Sequence, residues 1–390
     1  MVAIRARRLF DGERLIRAGR PTVLVDGGVI RSVVDGPPPS GHEVVDLGSA
    51  TLMPGLIDAH VHLAFDATKD TVAGLVTADD DVVLDRMRSA SAATLDAGVT
   101  TARDLGDRGY LGLRVRAETA ADVRLGPRLL LAGPPITSIG GHCWFLGGEV
   151  EGVEAIRAAV RDRAARGVDV VKVVVTGGRL TAGSHPHEVQ FGPAELSAVV
   201  EEAKRHGLPV TGHCHAADGI ADAVAAGFDG IEHCTFVTAN GTTVDPALLS
   251  RMAAAGTRVT LTLGSVPQPA DHTGPDEADP RRKAVHDALW RVATSGVPLA
   301  CASDAGCGPG KPHGSLAYAV QAMAGLGFSP TEALRAVTSG AAQVCGIADQ
   351  VGRIAPGYQG DLLAVHGDPA TDPEALRHVA AVFRAGLRVR

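Results

Sequence analysis

Six side chains able to ligate metal ions stand in or just after strand-like apolar runs of this 390-residue chain. They are His60 and His62 in "LIDAHVHL", Lys172 in "VDVVKVVVTGG", His213 in "LPVTGHCHA", His233 in "DGIEHCTFV" and Asp304 in "PLACASDAG". Strand side chains alternate between faces, so His60 and His62 share a face and offer two imidazoles together, beside Asp58. A single histidine in an apolar run is commonly a hydrogen-bonded core residue, and an aspartate after a strand commonly caps a helix. Lys172 resists such a reading, because an ammonium is almost never buried without a partner. The coincidence of all six on such runs points to a metal site.

Eight such runs would have to position these groups: residues 56–63, 99–106, 128–136, 168–178, 208–216, 229–237, 258–265 and 298–306. Between them lie Ala-rich amphipathic stretches such as "EAIRAAVRDRAARG" and "PAELSAVVEEAKRHG", the alternation of parallel βα units. Eight units over this length predict an α/β protein, a (β/α)8 TIM-type barrel over residues 51–349, with its polar groups at the C-terminal strand ends. Residues 1–50 read instead as short strands joined by turns, and residues 350–390 return to strand character. The two chain ends are therefore expected to form one small β-sandwich domain.

Composition narrows the partners. Hydrophobic residues make up 45% of the chain, and 37 Lys+Arg against 44 Asp+Glu leave a net charge of -7. No basic stripe or aromatic platform suggests nucleic acid, so a small-molecule substrate is expected. The N-terminus lacks a continuous apolar signal region, and no segment has the roughly 18 apolar residues of a membrane span, which makes the cytoplasm the expected location. Six cysteines without a CxxC pair are expected to be reduced.

The order of these residues resembles the amidohydrolase superfamily over essentially the whole chain. The order is H-x-H on the first strand, lysine on the fourth, histidines on the fifth and sixth and aspartate on the eighth. The flanking "MPGLIDAHVHL" and "GRIAPGYQGDLLAV" carry the same likeness. Within the superfamily, "VKVVVTGG", "GIEHC" and "ASDAG" are most similar to the imidazolonepropionase-like branch, which includes prolidase-like dipeptidases and related amide hydrolases.

The resemblance implies two divalent metal ions. His60, His62 and Asp304 would hold one and His213 and His233 the other, with Lys172 carboxylated to a carbamate that bridges both. Such a carbamate turns an unfavourable buried cation into an anionic oxygen ligand. Imidazole and oxygen ligands without thiolates suit zinc, with manganese or cobalt as substitutes. The implied reaction is hydrolysis of an amide-type C–N bond by a metal-bridging hydroxide, with Asp304 as general base and then general acid. The substrate would be an N-acyl amino acid, a dipeptide-like compound or an aryl amide; a ring-opening hydrolase of cyclic amides or imidazolones is the alternative. Deaminases of the superfamily usually lack the strand-4 lysine and carry a Glu three residues after the strand-5 histidine; here that residue is Ala216. A barrel kept as a scaffold would not need all six metal-site residues.

Specificity should lie in the loops. "TSIGGHCWFLGGEVEG" brings His142, Trp144 and Phe145 towards the mouth, and the family's "GGH" there tends to face the pocket. Prolidase-like relatives have "HAY" where this chain has "HCH", so His215 replaces a tyrosine associated with a substrate carboxylate. "TGGRLTAGSHPHEVQF" adds Arg179, His185 and His187. His142, His215, Trp144 and Arg179 are the expected substrate-binding residues. A homo-oligomer is expected, and the long segment "GSVPQPADHTGPDEADPRRK" reads as a lid or a plain surface excursion.

Overall fold

A computed structural model describes residues 1–17, 19–37, 40–267 and 280–390. The segment expected to be a lid or an excursion falls largely on residues 268–279, outside the described residues.

The eight apolar runs each contain a strand: β1 (Leu56–Val61), β2 (Val99–Asp104), β3 (Arg128–Leu131), β4 (Val171–Val174), β5 (Val210–Ala216), β6 (Gly230–Thr238), β7 (Arg258–Leu261) and β8 (Leu299–Cys301). All pairings among them are parallel: β1 with β2 and β2 with β3 in one sheet, and β4 through β8 in succession in another. Isolated parallel bridges, Ile136 to Val173 and Val61 to Ala305, link the segment after β3 to β4 and the end of β1 to the segment after β8. The strands are shorter than the runs. After β3 the chain passes through "AGPPI", whose two prolines cannot donate to a ladder, and pairing resumes only at Ile136.

β1, β2 and β4 are buried along their whole length, which is why "VKVV" reads as an apolar run rather than an alternation. Helices cover them. Val153–Arg166 buries Ile156, Val160 and Arg163, one stripe at helical spacing, and stops at Gly167, where φ is +76°. Pro193–Arg205 begins with proline at its first turn, and the Glu195 carboxylate accepts from the Gly192 N–H.

Strands from the two chain ends pair in one of two terminal sheets. One four-stranded sheet joins Val2–Arg5, Thr22–Asp26, Val29–Val34 and Glu43–Asp46. A six-stranded sheet joins Arg8–Phe10, Leu15–Ile16 and Thr51–Pro54 to Leu362–Val365, Val379–Arg384 and Leu387–Arg388. Ile4, Val23, Leu52, Leu362 and Phe383 share one apolar cluster drawn from both ends. Thr51–Pro54 pairs antiparallel with Leu362–Val365, so the terminal sheet continues to the residue before Gly55. Among the described residues no helix is long and apolar enough to cross a membrane, and all six cysteines are free.

Candidate active site

His60, His62, Lys172, His213, His233 and Asp304 line one cavity of about 410 Å³. The ligand atoms of His60, His62 and Asp304 lie within 4.8 Å of one another, and so do those of His213, His215 and His233. The two groups adjoin, with the His60 and His233 rings 5.0 Å apart. His215, expected at the substrate, therefore also stands among the nitrogens of the second group, its ring stacked 4.6 Å from that of His233.

Each histidine is turned by a hydrogen bond on its far nitrogen. His60 Nδ1–H donates to Glu232 Oε2 at 2.9 Å, which leaves Nε2 facing His62 Nε2 at 3.3 Å and Asp304 Oδ1 at 3.5 Å. His62 Nδ1–H donates to the Gly106 carbonyl at 3.2 Å, and its Nε2 is 3.6 Å from Asp304 Oδ1. His213 Nε2–H donates to the Gly177 carbonyl at 3.3 Å, while His233 Nδ1 pairs with the Thr262 hydroxyl at 2.9 Å. In this way the partners free one lone pair per ring for a ligand. Burial, reinforced by neighbouring positive charge, holds His60, His213 and His233 well below the ordinary imidazole pKa, so they stay neutral, the form that binds metal.

Lys172 is 3% exposed, and its Nζ is buried without a hydrogen-bond partner. Burial lowers its pKa from the usual lysine value and favours the free amine. A neutral amine can add carbon dioxide, losing a proton to give the carbamate. An orphaned amine beside two clusters of imidazole and carboxylate donors fits a carboxylated bridging ligand and a pair of divalent ions.

The backbone around these groups is unusual. His233, Cys234 and Phe236 have φ of +67°, +52° and +54°, and Asp304 has +57°. Left-handed backbone at a non-glycine residue costs roughly 1–2 kcal/mol. At β6 the distortion breaks the two-residue alternation, so that the consecutive Glu232 and His233 both reach the site.

That break hid Glu232 from sequence reasoning. Glu232 is fully buried, and besides His60 it accepts from Arg103 Nη2 at 2.9 Å and Thr211 Oγ1 at 2.6 Å. Alternation assigns it to the face opposite His233. The adjacency of Glu and His in "GIEHC" was the available signal. Asp58 likewise has a structural role. Its carboxylate accepts from the Ser303 N–H at 3.0 Å and the Ser303 hydroxyl at 2.5 Å, tying β1 to the residue before Asp304. Burial pushes the Asp58 carboxyl up to about 6.

Of the expected substrate residues, His142, His215 and Arg179 line the cavity. His142 Nδ1 is buried without a partner, its ring lies 4.9 Å from that of His213, and burial pushes its pKa down to about 4. His215 Nδ1 pairs with the Thr235 hydroxyl at 2.9 Å. Trp144 does not line the cavity: it sits on the short helical turn Trp144–Leu146 with 44% of its surface exposed. His185 and His187 stack on each other at 5.7 Å, also away from the cavity lining.

The amidohydrolase family model matches residues 51–389, and the chain belongs to that family; it is a hydrolase. Among curated relatives, the ochratoxinase of Aspergillus niger is 29% identical over 370 residues, covering 84% of this chain and 74% of its own. An imidazolonepropionase of Cereibacter sphaeroides is 28% identical over 389 residues, covering 92% and 91%. Among solved structures, a Xaa-Pro dipeptidase with methionine bound in its active site superposes with a TM-score of 0.86 at 29% identity, over 99% of both chains.

Proposed function

We propose that this chain is a binuclear metal-dependent amidohydrolase that cleaves an amide-type C–N bond of a small molecule. His60, His62 and Asp304 would hold one divalent ion and His213 and His233 the other, with carboxylated Lys172 as the shared ligand and zinc as the metal. The observation that carries this reading is the buried, partnerless Nζ of Lys172 beside two clusters of imidazole and carboxylate donors. When bound, the ions supply an activated water and polarise the substrate carbonyl.

The chain's own groups do the rest. Asp304 takes the proton from the attacking water and passes it to the leaving nitrogen, base and acid work by one carboxylate. Glu232 and the Gly106 carbonyl hold the His60 and His62 rings in their ligating tautomer. His142, His215 and Arg179 offer polar contacts at the cavity wall, and the Arg179 guanidinium favours a substrate with a carboxylate, such as an N-acyl amino acid or a dipeptide-like compound. Opening of a cyclic amide or imidazolone ring is the second reading, supported by the match to an imidazolonepropionase over 92% of this chain.

The architecture proposed with it is one closed (β/α)8 barrel over residues 51–349, with a small sandwich of residues 1–50 and 350–390. The two isolated bridges between the parallel sheets and the apolar cluster shared by the chain ends support it.

The test is a panel of N-acyl amino acids, dipeptides, aryl amides and lactams offered to the metal-loaded protein and to Asp304→Asn. One class should be hydrolysed, with kcat falling by about 10²- to 10⁴-fold in the variant when both proteins are compared at equal metal occupancy. Absence of cleavage in every class, or an Asp304→Asn enzyme with substantial turnover, contradicts the reading.

A further inference from the structure

Lys311 lies in the turn after β8, where the Gly306 N–H donates to the Lys311 carbonyl at 2.7 Å and the Lys311 N–H donates to the Gly308 carbonyl at 2.8 Å. Its side chain folds back into the cavity wall. There Nζ donates to the Thr262 carbonyl at 3.1 Å and the Ser303 carbonyl at 2.7 Å, joining the segments that follow β7 and β8. An ammonium has three hydrogens. With two on carbonyls, Nζ stands 3.9 Å from Asp304 Oδ2.

The two carboxylate oxygens of Asp304 are thereby set apart. Oδ1 faces the His60 and His62 nitrogens at 3.5 and 3.6 Å and accepts from the Cys307 thiol at 3.4 Å. Oδ2 faces Lys311. The groups Lys311 touches are coupled to the site in their own right. The Thr262 hydroxyl pairs with His233 Nδ1, and the Ser303 hydroxyl donates to Asp58. Asp304 also needs such support, because its backbone sits at φ +57° and is held there by its N–H donating to the His60 carbonyl at 2.8 Å.

We propose that Lys311 is a positioning residue for Asp304: its ammonium anchors the strand ends on either side and draws Oδ2 to itself, which fixes Oδ1 as the oxygen turned to His60 and His62. This rests on the amide-hydrolase reading for its kinetic consequence but not for its structural one. Asp304 has to meet a water on one side and a leaving nitrogen on the other, and a carboxylate free to rotate would spend its time in unproductive orientations. Misplacement of a catalytic group by about 1 Å can cost about 100-fold in rate.

The experiment compares Lys311→Met, which keeps the unbranched stem without the terminal ammonium, with Lys311→Arg. Crystal structures, metal content, Tm, kcat and KM are measured on both and on the wild type. In Lys311→Met the Asp304 carboxylate should turn away from His60 and His62. Compared at equal metal occupancy, kcat should fall about 10-fold or more with KM changed by less than about threefold, and Lys311→Arg should recover most of the loss. An Asp304 that keeps its place in Lys311→Met overturns the proposal, as does an unchanged kcat or an arginine variant as impaired as the methionine one. Should the wild type cleave no C–N substrate, the amide-hydrolase reading fails by itself, and the position of Asp304 in Lys311→Met still decides the role of Lys311.

Discussion

Glu232 is the residue on which His60, in the first group of candidate ligands, leans. It has no exposed surface, and its two oxygens are shared among His60, Arg103 and Thr211. Glu232→Gln keeps the shape, removes the charge that balances Arg103, and weakens the acceptor that sets the His60 tautomer. Outer partners of this kind are worth about 10- to 100-fold in metal affinity, and breaking a buried ion pair costs about 3–5 kcal/mol. Competition with a chelator and thermal melts of the variant should return losses of those sizes. Unaltered metal affinity would remove Glu232 from the site. The candidate ligands stood out in the sequence, because histidines and a lysine inside apolar runs conflict with burial unless something there binds them. Glu232 was not legible, since whether it faces the site depends on left-handed backbone at His233 that no strand periodicity encodes.

The elements that matter most are the loop starts after β1 and β8, which interlock. The His62 N–H donates to the Ala305 carbonyl at 3.0 Å and the Ala67 N–H to the Gly306 carbonyl at 3.0 Å. Gly306 has φ +98°, and a Cβ there would stand 2.5 Å from the His62 carbonyl oxygen and 2.8 Å from Phe65 Cβ. Gly306→Ala therefore meets both strain and backbone, which rotation of a side chain cannot relieve. It should destabilise the protein by about 2 kcal/mol or more and lower the metal content by shifting His62. Chemical denaturation and metal analysis read the two effects; a variant with native stability would refute this account of the junction. Element identity was legible from the alternation of apolar runs with amphipathic stretches. The early end of β3 became clear only from pairing, although the prolines of "AGPPI" explain it. The exposed place of Trp144 follows from the Trp144–Leu146 turn, a local geometry that composition does not announce.

At the scale of the whole molecule, neutral histidines concentrate in and beside the cavity. His60, His62, His142, His213, His215, His233 and His313 are all held below the ordinary imidazole value by burial. Once unfolded, these side chains take up protons near pH 6.5, and the native state does not, so stability is lost as pH falls below that point. Three buried carboxyls oppose this. Asp58 and Asp107 are raised to about 6 and Asp104 to about 8, chiefly by burial, and each favours the native state on acidification until it titrates unfolded. Between pH 6.5 and 5 the seven histidines outnumber the three carboxyls. The chelator-treated protein should therefore melt at a lower temperature at pH 5.5 than at pH 7.5, and metal should raise the Tm at pH 7.5 through its preference for the native state. A melting temperature that rises on acidification would contradict the balance.

The central claim, two metal ions held by these residues about a carboxylated lysine, is tested most directly by a crystal structure of the metal-loaded protein with anomalous diffraction at the zinc edge. The account predicts two anomalous peaks in each chain, one among His60, His62 and Asp304 and one beside His213 and His233, with carbamate density on Lys172 Nζ reaching both. A single peak with bare, unmodified Lys172 would contradict it.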